Sequence, residues 1–205
     1  MEKINYDLKL KEIINNLDYK PSLLLHVCCG PCSSYVLEYL NKYFNITIYY
    51  YNPNIYPDSE YIRRKEEAKK FIKDAGYDIK FIECDYNPKE FYNVVKDVHH
   101  LGERSERCYN CYKLRLENSV KFASVNNFDY FTTTLSISPY KNSDWLNEIG
   151  DILEDKYNVK YLCADFKKNN GYKRSLELSK EYNLYRQEYC GCVYSKNERE
   201  NKIKI

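Results

Sequence analysis

Seven of the nine cysteines in this 205-residue chain fall into three tight groups. Cys28, Cys29 and Cys32 lie in LHVCCGPCSS, Cys108 and Cys111 in SERCYNCYKLRLENS, and Cys190 and Cys192 in YRQEYCGCVYS. Thiolates bind soft metals and iron–sulfur clusters, and paired thiols store two electrons. Free cysteines are oxidation liabilities, so clustering of this kind points to metal or redox use rather than to scattered packing. Adjacent cysteines point in different directions. A single small ion would rarely use Cys28, Cys29 and Cys32 together, whereas a cluster with several iron corners, or two metals side by side, would. The spacing Cys108-x-x-Cys111 is the common two-ligand bite for zinc or iron–sulfur sites, and alone it also suits a thioredoxin-type dithiol. Four thiolates from Cys28, Cys29, Cys108 and Cys111 would complete a [4Fe–4S] site or a closed zinc site. Spacing does not choose between them. Adjacency favours the larger cluster, and the spare thiol of Cys32 favours catalysis. In Cys190-Gly191-Cys192 the glycine permits a tight backbone, and the Cα separation can meet the disulfide window of about 4.4–6.8 Å. Such a ring is strained and easily reduced, which favours a two-electron store over two further metal ligands.

These groups need elements to hold them. Residues 22–27 (SLLLHV) read as a buried strand, and Pro31 suits the first turn of the helix that follows. Strands are expected at 46–51, 79–83 and 129–134, with a possible fifth in VKYLCA. Helices are expected over Ser59–Ala75, near 88–98, from about 109 to 125, over 143–156 and over 172–183. Strands alternating with helices predict an α/β, Rossmann-like parallel sheet with helices on both faces, its ligand beyond the carboxyl ends of the strands. The first strand–helix turn is the usual ligand place. Here it reads CCGPC and carries neither a GxGxxG nor a GxxxxGK[ST] phosphate loop, so thiols stand where glycines would cradle phosphate. The expected organisation is a lead-in at 1–20, one α/β domain over 21–195, and a charged tail over 196–205 that frays.

Composition narrows the function further. A formal charge of +2 gives no global pull toward nucleic acid, so any basic patch is local. The N-terminus is charged rather than a signal peptide, and no apolar run reaches the ~20 residues of a membrane span, so a cytoplasmic protein without membrane contact is expected. Most of the 24 tyrosines read as half-buried core. Cys84 and Cys163 read as core cysteines, Asp85 and Asp165 as surface caps, and His26 as a satisfied core histidine. His99 and His100 read as solvated. Ser33, Ser34 and Thr132–Thr134 flank the expected crevice. Arg63, Arg64 and Lys65 fall off the buried face of their helix. The stretch KKNNGYKR at 167–174 interleaves basic residues with a tyrosine, a composition able to grip a phosphate backbone.

Six segments taken in order, HVCCGPCSS, YYNPNIYP, RCYNCYKLRLENS, FTTTLSISPYKN, DFKKNNGYKRSLELS and YRQEYCGCVYS, resemble the epoxyqueuosine reductases of the QueH type. The resemblance spans about residues 22–195. It implies the HUP class of Rossmann-like domains and a cobalamin-independent, tRNA-modifying oxidoreductase. Such an enzyme removes the epoxide oxygen of epoxyqueuosine in tRNA to leave queuosine, the last step in making that nucleoside. It implies a [4Fe–4S] cluster on Cys28, Cys29, Cys108 and Cys111, and a redox-active pair in Cys190 and Cys192. It also implies a further mononuclear iron, for which Cys32 is the candidate ligand. The partners implied are tRNA carrying epoxyqueuosine and an external electron donor. Lys173, Arg174 and Arg186 are the candidate tRNA contacts. Two other readings stand beside this one: a zinc-stabilised RNA-binding module without catalysis, and an ATP-dependent tRNA-thiolating enzyme on the same fold. The second would need an SGGxDS-like loop, and CCGPCS is not one.

Overall fold

The unbroken apolar run after Pro21 becomes the middle of the sheet. In the computed structural model, which describes residues 4–203, β1 (Ser22–His26) has a neighbour on each side. β2 (Asn45–Tyr50) pairs with it through Leu24↔Thr47, and β4 (Tyr130–Thr133) through Leu24↔Phe131. β3 (Lys80–Glu83) and β5 (Lys160–Tyr161) form the edges, in the order β3-β2-β1-β4-β5, every pair parallel. Leu23, Leu24 and Leu25 are fully buried, each contributing about 1.5–3 kcal/mol relative to an exposed side chain.

Eight helices are described: α1 (Tyr6–Asn15), α2 (Gly30–Leu40), α3 (Asp58–Asp74), α4 (Pro88–Val95), α5 (Glu106–Val125), α6 (Ser143–Tyr157), α7 (Gly171–Glu181) and α8 (Val193–Ile203). α2 packs against α3 and α7, and α5 packs against α6. Right-handed crossovers put these two groups on opposite faces. The chain runs outward from β1 to β3 and then returns to the other side of β1 as β4. The strand order therefore reverses between β1 and β4, and a crevice opens at their carboxyl ends. This is the Rossmann-like, HUP-type arrangement expected.

The expected elements are found with small shifts, and four differences bear on the site. α5 begins at Glu106, earlier than the pattern indicated, which sets Cys108 and Cys111 one turn apart on one helix face. The fifth strand shrinks to Lys160–Tyr161, because Asn147 rather than a neighbouring strand takes the Ala164 N–H, at 2.9 Å, and its carbonyl, at 3.1 Å. Of the expected tail, residues 196–203 belong to α8, and residues 204 and 205 lie outside the described residues. Glu198 of this helix pairs with Arg107 at 2.7 Å. The lead-in is anchored too: Asn5 caps α1, whose Leu10 and Ile14 join the main core.

Among the described residues no helix is long and apolar enough to cross a membrane.

Candidate functional site

β1 ends at His26, and two residues later the chain delivers Cys28 and Cys29 to the crevice. Cys29 is the N-cap of α2 in extended conformation, and Pro31 fills the first turn. No side chain caps this terminus, so its N–H groups and partial positive charge face the thiols. Gly30 is required by close approach: a Cβ there would lie 2.9 Å from the Glu67 carbonyl oxygen of α3. The sulfurs of Cys28, Cys29 and Cys32 all lie within 4.8 Å of one another, with Cys28 and Cys29 at 3.7 Å, and all three residues are buried. The thiols of Cys29 and Cys32, together with the charges of Lys141 and Arg115, hold Cys28 well below the usual thiol range. Burial and the Cys28 charge push Cys29 up to about 12, and Cys28 pushes Cys32 upward. Cys28 is thus the most acidic of the three, favoured as an anion by its neighbours' thiols, and a bound metal would displace the remaining protons.

Beneath this turn lies a fully buried polar layer. His26 donates from Nε2 to the Tyr51 carbonyl at 3.1 Å and accepts at Nδ1 from the Thr133 hydroxyl at 2.8 Å. Burial, followed by the nearby Arg115 charge, drives its pKa to about 3, so it is neutral, the satisfied core histidine expected. Ser33 and Ser34 hydrogen-bond back to Gly30 and Pro31 within α2, and Thr132 bonds the Leu162 carbonyl. Thr134 alone of this group reaches a sulfur, 3.9 Å from Cys28.

A second group of thiols stands across the crevice. Cys108, Cys111, Cys190 and Cys192 are close enough to act on one another electrostatically. Cys111 is buried with Cys192, Phe91 and Val95, and burial pushes it up to about 12. Cys192 immediately precedes α8, and the Ser195 N–H donates to its sulfur at 3.4 Å in an N-cap arrangement. Burial and the neighbouring Cys190 raise Cys192 to about 11. A cavity of about 430 Å³ separates the two groups, with Cys32, Cys108, Cys190, Tyr112, Lys141 and Arg186 among its lining.

The loop carrying Cys190 and Cys192 is held by distant residues. Arg64, only 1% exposed, pairs with Glu60 at 2.7 Å. It also donates to the carbonyls of Cys190 at 3.1 Å and Tyr189 at 3.3 Å. The Tyr56 N–H donates to the Gly191 carbonyl at 2.8 Å, and the Tyr189 hydroxyl bonds the Tyr56 carbonyl. Gly191 sits at φ +137°, where other residues are strained, and a Cβ there would press on Arg64 Nη1 at 3.0 Å. The expectation that Arg64 faces solvent is overturned. Arg64 stands three residues after Tyr61 and four before Ala68, so it lies on the buried face of its helix, and residues 189–191 fold over its guanidinium. All nine cysteines are free thiols, Cys190 and Cys192 included.

Residues 23–198 match the family described as Epoxyqueuosine reductase QueH. The chain belongs to the QueH family of epoxyqueuosine reductases. Similar proteins named Epoxyqueuosine reductase QueH occur in Staphylococcus epidermidis, Streptococcus pyogenes and Thermotoga maritima. The first is 45% identical, covering 95% of this chain and 85% of the relative. The second is 43% identical, covering 95% and 79%. The third is 38% identical, covering 88% and 93%. Among solved structures, one described as a predicted subunit of tRNA methyltransferase from Methanocaldococcus jannaschii aligns with a TM-score of 0.51. It is 18% identical and covers 78% of this chain and 76% of the other, a likeness of fold.

Within this QueH chain the basic candidates divide. Arg186 lines the cavity and donates to Ser179 at 2.9 Å. Lys173 is exposed on α7. Arg174 does not face the cavity. It is bound to Glu38 at 2.6 Å and lies within ion-pair distance of Glu177 and Glu181. Asp165 pairs with Lys167 but is buried rather than a surface cap, and Cys84 is half-buried at a strand end rather than fully in the core. Residue-type reasoning missed Gln187, Lys141 and Arg115. Gln187 donates to the Cys29 sulfur at 3.2 Å, while its Oε1 is buried without a partner. Lys141 reaches the cavity from the loop after β4, a placement only the fold supplies.

Proposed function

We propose that this chain reduces epoxyqueuosine in tRNA to queuosine, using a metal site on the cysteines of the β1–α2 turn and the α5 N-terminus. The carrying observation is that two groups of thiols face one cavity in a QueH chain. The donors suit a soft metal: thiols only, with the sulfurs of Cys28, Cys29 and Cys32 within 4.8 Å of one another and a buried, unpartnered Gln187 Oε1 beside Cys29. Cys28, Cys29, Cys108 and Cys111 would hold the cluster, and Cys32 is the candidate ligand for an additional iron. Bound there, such a group would pass single electrons and offer a Lewis-acidic iron to the epoxide oxygen.

The remaining chemistry belongs to the chain. Epoxide deoxygenation takes two electrons and two protons and releases water. Oxidation of the Cys190–Cys192 dithiol to a disulfide supplies that number of each, and an external donor then reduces the disulfide. Lys141, half-buried at the cavity wall with no carboxylate partner among the described residues, supplies positive charge as the oxygen departs. Tyr112 lines the same wall and is 3% exposed, in place to relay a proton. Arg186 at the cavity and Lys173 on α7 are the tRNA contacts that best fit the placement. Nine free thiols support a reducing compartment, the cytosol.

The test is iron, zinc and acid-labile sulfide per chain in anaerobically purified protein, followed by assay on tRNA containing epoxyqueuosine. About four irons and four sulfides, with one iron beyond the sulfide count, and conversion of the nucleoside to queuosine support the reading. Zinc without sulfide after attempted reconstitution, and no conversion, favour the zinc-stabilised RNA-binding module instead.

A further inference from the structure

Three arginines are almost wholly buried around the thiols, and two of them have a carboxylate. Arg64 pairs with Glu60 and Arg107 with Glu198. Arg115 is 2% exposed, and among the described residues no carboxylate lies within ion-pair distance of it. Its Nη2 donates to the neutral Asn52 Oδ1 at 2.6 Å, and its Nε lies 3.4 Å from His26 Nε2, which is neutral as well. A guanidinium does not lose its proton in a protein, so it cannot escape burial by neutralising itself. A charge buried without compensation is costly, and its counter-charge must come from elsewhere. Arg115 lies one helical turn beyond Cys111 on the same face of α5. Its helix face therefore carries Cys111, and its neighbour His26 stands two residues before Cys28.

We propose that Arg115 is a positioning residue for the metal site: its permanent charge is the buried counter-charge of the gathered thiolates, and it raises the reduction potential of the cluster they hold. The inference rests on the reading of Cys28 and Cys111 as ligands. A cluster on four thiolates is anionic and gains one more negative charge on reduction. A fixed cation close by in a water-poor site stabilises the reduced form more than the oxidised one. Asn52 holds the guanidinium in place without cancelling its charge, while its amide donates to the Val27 carbonyl at 2.9 Å.

The test is an anaerobic redox titration of cluster-loaded protein, followed by electron paramagnetic resonance. Arg115→Gln removes the charge and keeps a polar side chain. At a fixed ambient potential its ratio of reduced to oxidised cluster is expected to fall about ten-fold, a downward shift of about 59 mV for one electron. Arg115→Lys restores most of the potential. Asn52→Asp leaves the arginine in place but sets a carboxylate against it, and lowers the potential in the same direction. This second variant decides the matter if Arg115→Gln does not fold. Midpoints equal to wild type in the charge-altered proteins that load a cluster overturn the proposal. If wild-type protein binds no iron and sulfide, the ligand reading fails by itself, and Co²⁺ titration of metal-free protein then tests Arg115. Thiolate–Co²⁺ affinity is expected to fall about ten-fold in Arg115→Gln, a loss of about 1.4 kcal/mol. Equal affinities overturn the assignment.

Discussion

Cys28, Cys29 and Cys32 are placed by the end of β1 and the first turn of α2, whereas Cys190 and Cys192 are placed by parts of the chain far away in sequence. The first group needs only a buried strand, a Pro in the helix start and a Gly where α3 passes close. The second needs Arg64 and Tyr56 from one end of the fold and the N-terminus of α8 from the other. A site built into the central strand turn is rigid and suits a metal. A loop suspended between clamps has room for the two states of a dithiol. The difference predicts that substitutions in the two regions fail in different ways.

The largest effects are expected at the proposed cluster ligands, which sit on the β1–α2 turn and on the first two turns of α5. Cys29→Ala or Cys108→Ala should reduce iron and sulfide per chain to background. Activity should fall by more than the about 10–100-fold typical of outer-shell changes at metal sites. A fully loaded cluster in Cys108→Ala would remove that ligand from the set. The loop should behave otherwise. Cys190→Ser is expected to keep its iron and sulfide and to lose multiple turnover on epoxyqueuosine tRNA. Full multiple-turnover activity in that variant would break the contrast, because the dithiol would then not be the electron store.

The same contrast explains what could be read in the sequence. The β1–α2 turn was legible because its information is local: an apolar run, three thiols and a Pro fall within a short stretch, and period and composition report such features directly. The parallel sheet followed from strand–helix alternation for the same reason, while its strand order came only with the fold. The clamps were not legible. Arg64 lies on the apolar stripe of α3 between Tyr61 and Ala68, but its charge makes it read as solvated, and nothing near it in sequence announces that residues 189–191 will cover it. Arg115 could be found only by noticing that i+4 from Cys111 lies on the ligand face of the helix. The docked tail escaped notice because its amphipathic signal is weak, and its anchor, Arg107, lies 91 residues away. Arg174 misled for the converse reason: a basic, tyrosine-containing stretch looks like a phosphate grip until its carboxylate partners appear.

Arg64→Met tests the clamps next. It removes both carbonyl bonds to the loop and leaves Glu60 buried, with only the Tyr185 hydroxyl at 3.2 Å for compensation. Breaking a buried pair by removing one partner costs about 3–5 kcal/mol. In a domain of this size that loss should appear as a Tm lowered by roughly 10 °C. Metal content should hold while turnover drops, because the cluster ligands lie on other elements. Loss of iron in step with loss of turnover would mean that the loop and the metal site are one unit, and the contrast would fail.

The smallest effect is expected from the far anchor of the same loop. Glu198 is 34% exposed, while Arg107 is 3% exposed and also donates to the His99 carbonyl at 3.2 Å. Its guanidinium lies 5.0 Å above the Tyr194 ring, a contact that does not depend on Glu198. Glu198→Gln removes the charge but keeps an acceptor oxygen, and water reaches the pair from the glutamate side. Exposed pairs contribute about 0–1 kcal/mol and buried ones more, so a loss of about 1 kcal/mol is expected. That corresponds to a Tm lower by roughly 3 °C, with a difference that shrinks as salt is added. A loss in Glu198→Gln as large as that in Arg64→Met would show that α8, rather than α3, carries the load of holding Cys190 and Cys192. The dithiol would then be positioned by the C-terminal helix, and its redox behaviour should respond to changes at residues 193–203 before it responds to changes at Arg64.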